Sequence, residues 1–323
     1  MPVSLPDIVK QTKDPMQKAF ILDLLRSSDL MSTIPFTRID GLKVTDTRWQ
    51  TLPSAGFRTL NGGYSESTGT VEEIGETLAL LGGDVKIDRV GEKVAAKKEK
   101  PLVTQMKMKA KAVAFKFNDT FINGDHGVDP DAFEGIKKRN SNMPSRMTID
   151  LATAGDALKV LATTTTAQTF LDALHAAIKY VDGATHIFVN ETTLLKYGSV
   201  MRLLGLQYNL VELYDKSWDS FNKIPLIDVG LKGDKSTEII TSTEDPGDGG
   251  NDATSMYVAR VDSDDGLSGL LLNGMDFKVY DPLNGNELES GPQYLRRIDA
   301  AVGLTSPSQY CICRIKGFKM AAS

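Results

Sequence analysis

Cysteine, histidine and tryptophan are nearly missing from this 323-residue chain, which has two, three and two of them. The two cysteines, Cys311 and Cys313, sit one residue apart. In an extended segment that puts both on one face without bridging geometry, so no disulfide scaffold is available. A soft-metal site needs about four ligands, and beyond the thiols the chain offers only His126, His175 and His186. The cysteines therefore read as buried and inert. Long apolar runs are lacking too, and none approaches the ~20 residues of a membrane-spanning helix. The N-terminal MPVSLPDIVKQTKDPMQ is polar and acquires acids early, which fits neither a signal peptide nor a lipidation site. Nor is there an excess of positive charge. Thirty-seven basic residues against 42 acidic ones leave a formal charge of -5, so no global field draws the chain to nucleic acid. What is present is a hydrophobic content of 41%, enough for a substantial core in two or so domains of ordinary size.

Residues 3–30 read as helix, broken at Asp14-Pro15, where Asp14 is the expected N-cap and Pro15 the first helical residue. Extended pieces follow at 34–39 and 42–52, split by the turn dipeptide Asp40-Gly41. Residues 54–97 differ in character: Gly56, Gly62, Gly63, Gly69, Gly75, Gly82 and Gly83 punctuate short Thr/Val/Leu pieces with few core-sized side chains. Such a segment cannot build its own core. It reads as a two-stranded arm running out over 64–80 and returning through Val85, Ile87 and Val90, lying against something else, a neighbouring subunit being the obvious candidate.

In residues 99–124 two periods compete. Met106 to Lys111 alternates like a strand, whereas Leu102, Met106, Ala110, Val113, Phe117 and Phe121 recur at steps of three and four. The longer pattern favours a helix of about six turns, ~33 Å, with a lysine flank in solvent. That flank faces water or an acidic partner or DNA. Asn123 and Gly124 then supply the C-terminal cap, with Gly124 left-handed, and Asp125 begins a hydrogen-bonded turn. Beyond Asp129-Pro130 the texture is mixed α/β. Helices are expected over 166–181 and, capped by Asn190, over 191–204. Strands are expected at 186–189, 211–214, 224–229, 238–241 and 256–261. The last part returns to strands at 274–280, 293–303 and 309–318, the final two forming a hairpin around Thr305-Ser306-Pro307-Ser308.

Chemistry-bearing motifs are weak. Asp125, His126, Asp129 and Asp131 gather ligand types, as do Asp245, Asp248 and Asp252, but neither group has the alternate oxygens and terminal Glu of a Ca²⁺ loop. Asp262 to Gly266 comes closer and still lacks the glutamate. In residues 230–237 an Asp precedes the lysine where a phosphate loop needs Gly. No Gly-x-Ser-x-Gly elbow occurs, and no nucleophile and orienting acid accompany His175 or His186. These features read as solvated turns and ordinary histidines, and the chain as no enzyme, with no cofactor. A metal-dependent hydrolase using 125–131 is the remote alternative.

GGDVKIDRV (82–90), AFKFNDTFINGD (114–125) with FEGI (133–136), HIFVNETTLLK (186–196) and YLRRIDAAVGLTSPSQYCICRIKGF (294–318) occur in the order in which the chain resembles the major capsid proteins of tailed bacteriophages, the Hong Kong 97-like fold. The resemblance implies an α+β subunit: an N-terminal arm with first peripheral strands (1–53), an extended β-hairpin loop (54–97), a peripheral domain with a long spine helix (98–137), an α/β axial domain (138–273), and C-terminal strands largely of the peripheral domain (274–323). It implies self-assembly through pentamers and hexamers into an icosahedral head shell enclosing double-stranded DNA, which it touches weakly and non-specifically. Location would be the virion capsid, assembled in host cytoplasm. Assembly contacts are expected at Tyr64, Glu66, Glu72, Glu73, Glu76, Arg89, Lys107, Lys111, Arg296 and Arg297. Partners would be a portal, a separate scaffolding protein and a cement or decoration protein. An encapsulin-like compartment is the alternative with the same fold.

Two departures refine this. Some family members crosslink an extended-loop lysine to an asparagine, but no lysine lies between Lys43 and Lys86 here, so no covalent crosslink is expected. Others carry a long N-terminal scaffolding segment. Residues 1–53 are too few for one, and a start at Met1 fits an unprocessed chain, so scaffolding is expected from a separate protein.

Overall fold

The structure is a computed structural model describing residues 2–94, 101–207, 209–213, 216–247, 249–281, 288 and 291–321. Two mixed sheets and a separate two-stranded ribbon carry the chain. The N-terminal segment forms β1 (Pro2–Ser4), α1 (Leu5–Gln11), α2 (Pro15–Ser27), α3 (Asp29–Thr33) and β2 (Pro35–Ile39). Each helix starts where a side chain satisfies its free N–H groups: Ser4 caps α1, Asp14 caps α2 with Pro15 at its start, and Ser28 caps α3.

The ribbon pairs β3 (Lys43–Thr51) with β4 (Thr70–Thr77). Then come β5 (Ala79–Asp88), α4 (Arg89–Val94) and the long α5 (Pro101–Asn123). After α6 (Ile136–Ser141) follow β6 (Thr148–Asp150), β7 (Leu158–Lys159), α7 (Thr164–Tyr180), β8 (His186–Val189), α8 (Glu191–Leu203), β9 (Asn209–Leu213), β10 (Lys216–Phe221), β11 (Ile224–Asp228) and β12 (Thr254–Ala259). The chain ends with β13 (Ser268–Leu272), β14 (Lys278–Tyr280), β15 (Gln293–Thr305) and β16 (Ile312–Lys319).

One sheet runs β1-β2-β13-β15-β14 with β5 also on β15, and the other β6-β16-β12-β8-β11-β10-β9 with β7 also on β16. The second sheet separates two cores. On one face Phe188, Tyr257, Ala259 and Ile312 join the core built on α5. On the other, Ile187, Val189, Val258, Cys313 and Ile315 join the core under α7 and α8. Two buried faces explain why β8, HIFV, is buried throughout, without alternation of exposure. Across the junction Phe121 meets Phe188 edge-on at 5.4 Å. Buried Asn118 of α5 accepts from Ser28 Oγ at 2.7 Å and donates to Val229 O at 3.1 Å, tying α3, α5 and the end of β11 together.

The helix reading of 99–124 holds over Pro101–Asn123, with residues 99–100 outside the described residues. The helices at 166–181 and 191–204 also stand, with Thr163 and Asn190 as caps. Several expectations are corrected. The ribbon is not 64–80 against 85–90: β4 pairs back with β3, and β5 pairs along β15 from Asp88 opposite Gln293 to Ala79 opposite Val302. Composition marked this segment as extended, but a strand's partner is a long-range choice, and Val85 and Ile87 on β5 pack with the α5 core. Val90 lies in α4, not in a strand. The strands flanking Asp40-Gly41 enter different sheets. So do β15 and β16, which replace the expected hairpin, with residues 306–311 crossing between sheets. Residues 238–241 hold only a bridge, Leu231 to Glu238. The strand expected at 211–214 is β9, and Tyr214 lies outside the described residues. The cysteines do not share a face: Cys311 sits in the bend before β16 and faces one core, Cys313 the other.

Gly124 is not left-handed, since it is absent from the positive-φ glycines. Close approach is what demands glycine there: a Cβ would lie 2.3 Å from Phe133 O and 2.5 Å from Thr120 O. Asn123 secures the helix end by donating to Ile239 O at 2.9 Å. Asp125 does begin a turn, accepting from Gly127 N at 2.9 Å.

Candidate assembly surfaces

The ribbon of β3 and β4 is rooted in the subunit and bare at its tip. At the root Leu78 N bonds Leu42 O at 2.9 Å, and Thr305 Oγ1 donates to Asp46 Oδ2 at 3.0 Å. Arg139 of α6 is the central fastening. Its NH2 group donates to Glu76 Oε2 at 2.7 Å and Leu304 O at 3.0 Å, its NH1 group to Glu76 Oε1 and to Ser306 Oγ at 3.0 Å, and its Nε to Glu134 O at 3.0 Å. All five N–H donors of the guanidinium are thus used in a buried site. This joins the ribbon to α6 and to the start of the crossing between sheets.

Outward, Trp49 and Val71 stand opposite each other across the strands and are 76% and 61% exposed. In the tip, residues 52–69, Leu52, Phe57, Leu60 and Tyr64 are all exposed, and Arg58 lies over the Tyr64 ring at 5.4 Å. Large apolar side chains in water on a ribbon with no core of its own mark a surface completed by another molecule. Gly69 is small by necessity, since a Cβ there would lie 2.6 Å from Thr51 O.

The ten expected contact residues do not converge. Tyr64, Glu66 and Glu73 are exposed on the ribbon, while Glu72 pairs with Arg48 at 2.8 Å. Glu76 is buried against Arg139, so its carboxylate is engaged within the subunit. Arg89 is exposed at the start of α4, and Lys107 and Lys111 are exposed on α5. On β15, Arg296 is half-buried 2.5 Å from Asp281, and Arg297 reaches Asp84 at 2.7 Å. The Arg297 hydrogen bond holds the Asp84 carboxyl below its usual range despite partial desolvation. Sequence reasoning missed Trp49, Val71, Phe57, Leu60 and Arg139. For Val71, Phe57 and Leu60 the signal was available: apolar residues inside a glycine-rich segment that cannot bury them.

The chemistry-bearing groups are tied up locally. Asp125 Oδ2 lies 3.1 Å from Lys138 Nζ, Asp129 pairs with Lys116 at 3.7 Å, and Asp131 N donates to Asp129 Oδ1. Asp248 lies outside the described residues. Among the described residues no three His, Cys, Asp or Glu side chains come together as a metal site, and no helix is long and apolar enough to cross a membrane. Burial pushes the Cys311 and Cys313 thiols up to about 12 and His186 down to about 4.

Residues 17–158 match the family described as Major capsid protein GP7. No curated protein matches the sequence. Similar solved structures are shells. The holo-SrpI encapsulin complex of Synechococcus elongatus has a TM-score of 0.62 at 11% identity, covering 96% of this chain and 90% of that one. The satellite phage P4 procapsid including its size determination protein gives 0.53 at 11% identity, covering 94% and 99%. Mycobacterium phage Ogopogo gives 0.55 at 11% identity, covering 91% of each. At such identities the structures establish the fold alone: the chain has the Hong Kong 97-like fold, and its residues 17–158 are similar to the major capsid protein family.

Proposed function

We propose that the subunit closes, through pentamers and hexamers of itself, into an icosahedral head shell around packaged double-stranded DNA. The carrying observation is the rooted ribbon whose tip exposes Phe57, Leu60 and Tyr64. A neighbouring subunit supplies the missing core, with Glu66, Glu73 and Trp49 at the rim of the contact. On this reading the ribbon and N-terminal segment reach across neighbours, α5 and the sheet containing β15 form the peripheral domain, and the sheet of β8 and β12 with α7 and α8 forms the axial domain. Lys107 and Lys111 of α5, Arg89, Arg296 and Arg297 complete the contact set. Assembly would take place in the host cytoplasm with a separate scaffolding protein, a portal and a cement protein, and no catalysis is involved.

Negative-stain microscopy of the expressed chain tests this: closed particles or capsomers are expected, and a variant lacking residues 54–67 should remain folded yet stay monomeric. Wild-type protein that is only monomeric in every condition, scaffold included, would refute it. The encapsulin likeness supports a second reading with the same fold, a compartment enclosing an enzyme. Particles purified from the native source and filled with protein but free of DNA would favour that reading.

A further inference from the structure

Where α5 turns away from the core, Met108, Ala112 and Phe115 floor an open groove of about 390 Å³. Lys111 and Lys116 line it from the helix, and Lys232 and Lys235 from the loop after β11; Asp119 is its one carboxylate. Floor and rim residues 108, 111, 112, 115 and 119 recur at steps of three and four, so the groove follows one helix face for about three turns, ~16 Å. Four lysines line the groove against Asp119, with Asp129 beside Lys116, so positive charge is in excess here in a chain whose net charge is -5. The ion pairs present are loose: Lys232 is 3.5 Å from Asp119, and Lys116 is 3.7 Å from Asp129 with both side chains at least half exposed. Met108 is 58% exposed. Ala112 beside it is exposed as well, and Phe115 is half-buried.

We infer that this groove receives an acidic amphipathic helix of a partner protein. Apolar residues of that helix at three- and four-residue spacing lie on Met108, Ala112 and Phe115, and its carboxylates meet the lysine rim. A DNA duplex would be served by a uniformly cationic surface and gains nothing from an apolar floor. An uncharged apolar segment gains nothing from the lysines, which set orientation and rate of approach. Naming the partner as a scaffolding protein rests on the shell reading; the binding chemistry does not.

The test uses the full chain and a labelled synthetic peptide of about 18 residues, with Leu at helical spacing and Glu elsewhere, read by fluorescence anisotropy. A shuffled peptide of the same composition and a DNA duplex serve as comparators. Saturable binding of the periodic peptide is expected, falling as salt rises. Lys111→Glu with Lys235→Glu should weaken it by about tenfold or more, as should Met108→Ser, with the melting temperature unchanged. Equal binding of the shuffled peptide overturns the proposal. So does duplex binding in place of peptide binding, or a loss of self-assembly in the lysine variant without peptide binding by wild type. Particles without peptide binding would sink this inference and spare the shell reading; peptide binding without particles would do the reverse.

Discussion

At the scale of single residues, Arg139 and Gly124 show two ways in which a position becomes irreplaceable. Arg139 and Glu76 are both buried, so removing one partner leaves the other charge without water or counter-charge. Arg139→Met should cost about 3–5 kcal/mol in urea unfolding. Combining it with Glu76→Leu should recover most of that, because both charges are then gone. A double variant as unstable as the single one would show that the backbone contacts of Arg139, not the ion pair, hold the root. Gly124 is a matter of space. If its role were a left-handed cap, Gly124→Asn would be tolerated and Gly124→Ala would not. Because a Cβ would run into the carbonyls of Phe133 and Thr120, both should lose about 1–3 kcal/mol, and thermal melting of the pair distinguishes the two accounts.

At the scale of elements, the ribbon separates stability from assembly. Its inner side is fastened by Arg139, Asp46 and Leu78, whereas Trp49 and Val71 stand in solvent. Trp49→Ala should therefore leave subunit unfolding within about 0.5 kcal/mol of wild type while raising the protein concentration needed for particles. A matching loss of stability would place Trp49 in the subunit's own core. A second element-scale joint is Glu244, which bridges Lys137 of α6 and Arg314 of β16 at 2.8 Å each. Burial alone would raise its pKa, but the Arg314 charge and hydrogen bonds from Lys137 and Ser255 prevail and lower it. A carboxyl depressed in the fold adds stability that is present above its unfolded value of 4.5 and is lost as pH falls through the lower folded value. Acid unfolding should accordingly be shallower in Glu244→Gln than in wild type below that pH. Parallel curves would remove Glu244 from the account.

At the scale of the whole molecule, the outer ribbon offers no amine with which to crosslink subunits of the proposed shell, since lysine is absent between Lys43 and Lys86. Boiled particles should run as one monomer band on a denaturing gel, and a ladder would reveal a covalent bond from elsewhere in the chain. The holding energy must then come from burial between subunits, for which the exposed Phe57, Leu60, Tyr64 and Trp49 are the available apolar area.

What the residues determined by themselves is local. Asp14-Pro15 and Asn190 announce helix starts, the spacing from Leu102 to Phe121 makes α5, and the glycine-rich stretch without core-sized residues marks a segment that needs a partner. Succession of motifs was enough for the family resemblance. Pairing was decided only in three dimensions. Whether β4 returns to β3 or β5, and whether β15 and β16 meet or part into two sheets, depends on which faces the cores cover, and the same alternation of residues serves either outcome. The buried clamp of Arg139 was illegible for the same reason: apart from Glu134, its partners lie 63 and 165 or more positions away, and only the packed chain brings them to one guanidinium.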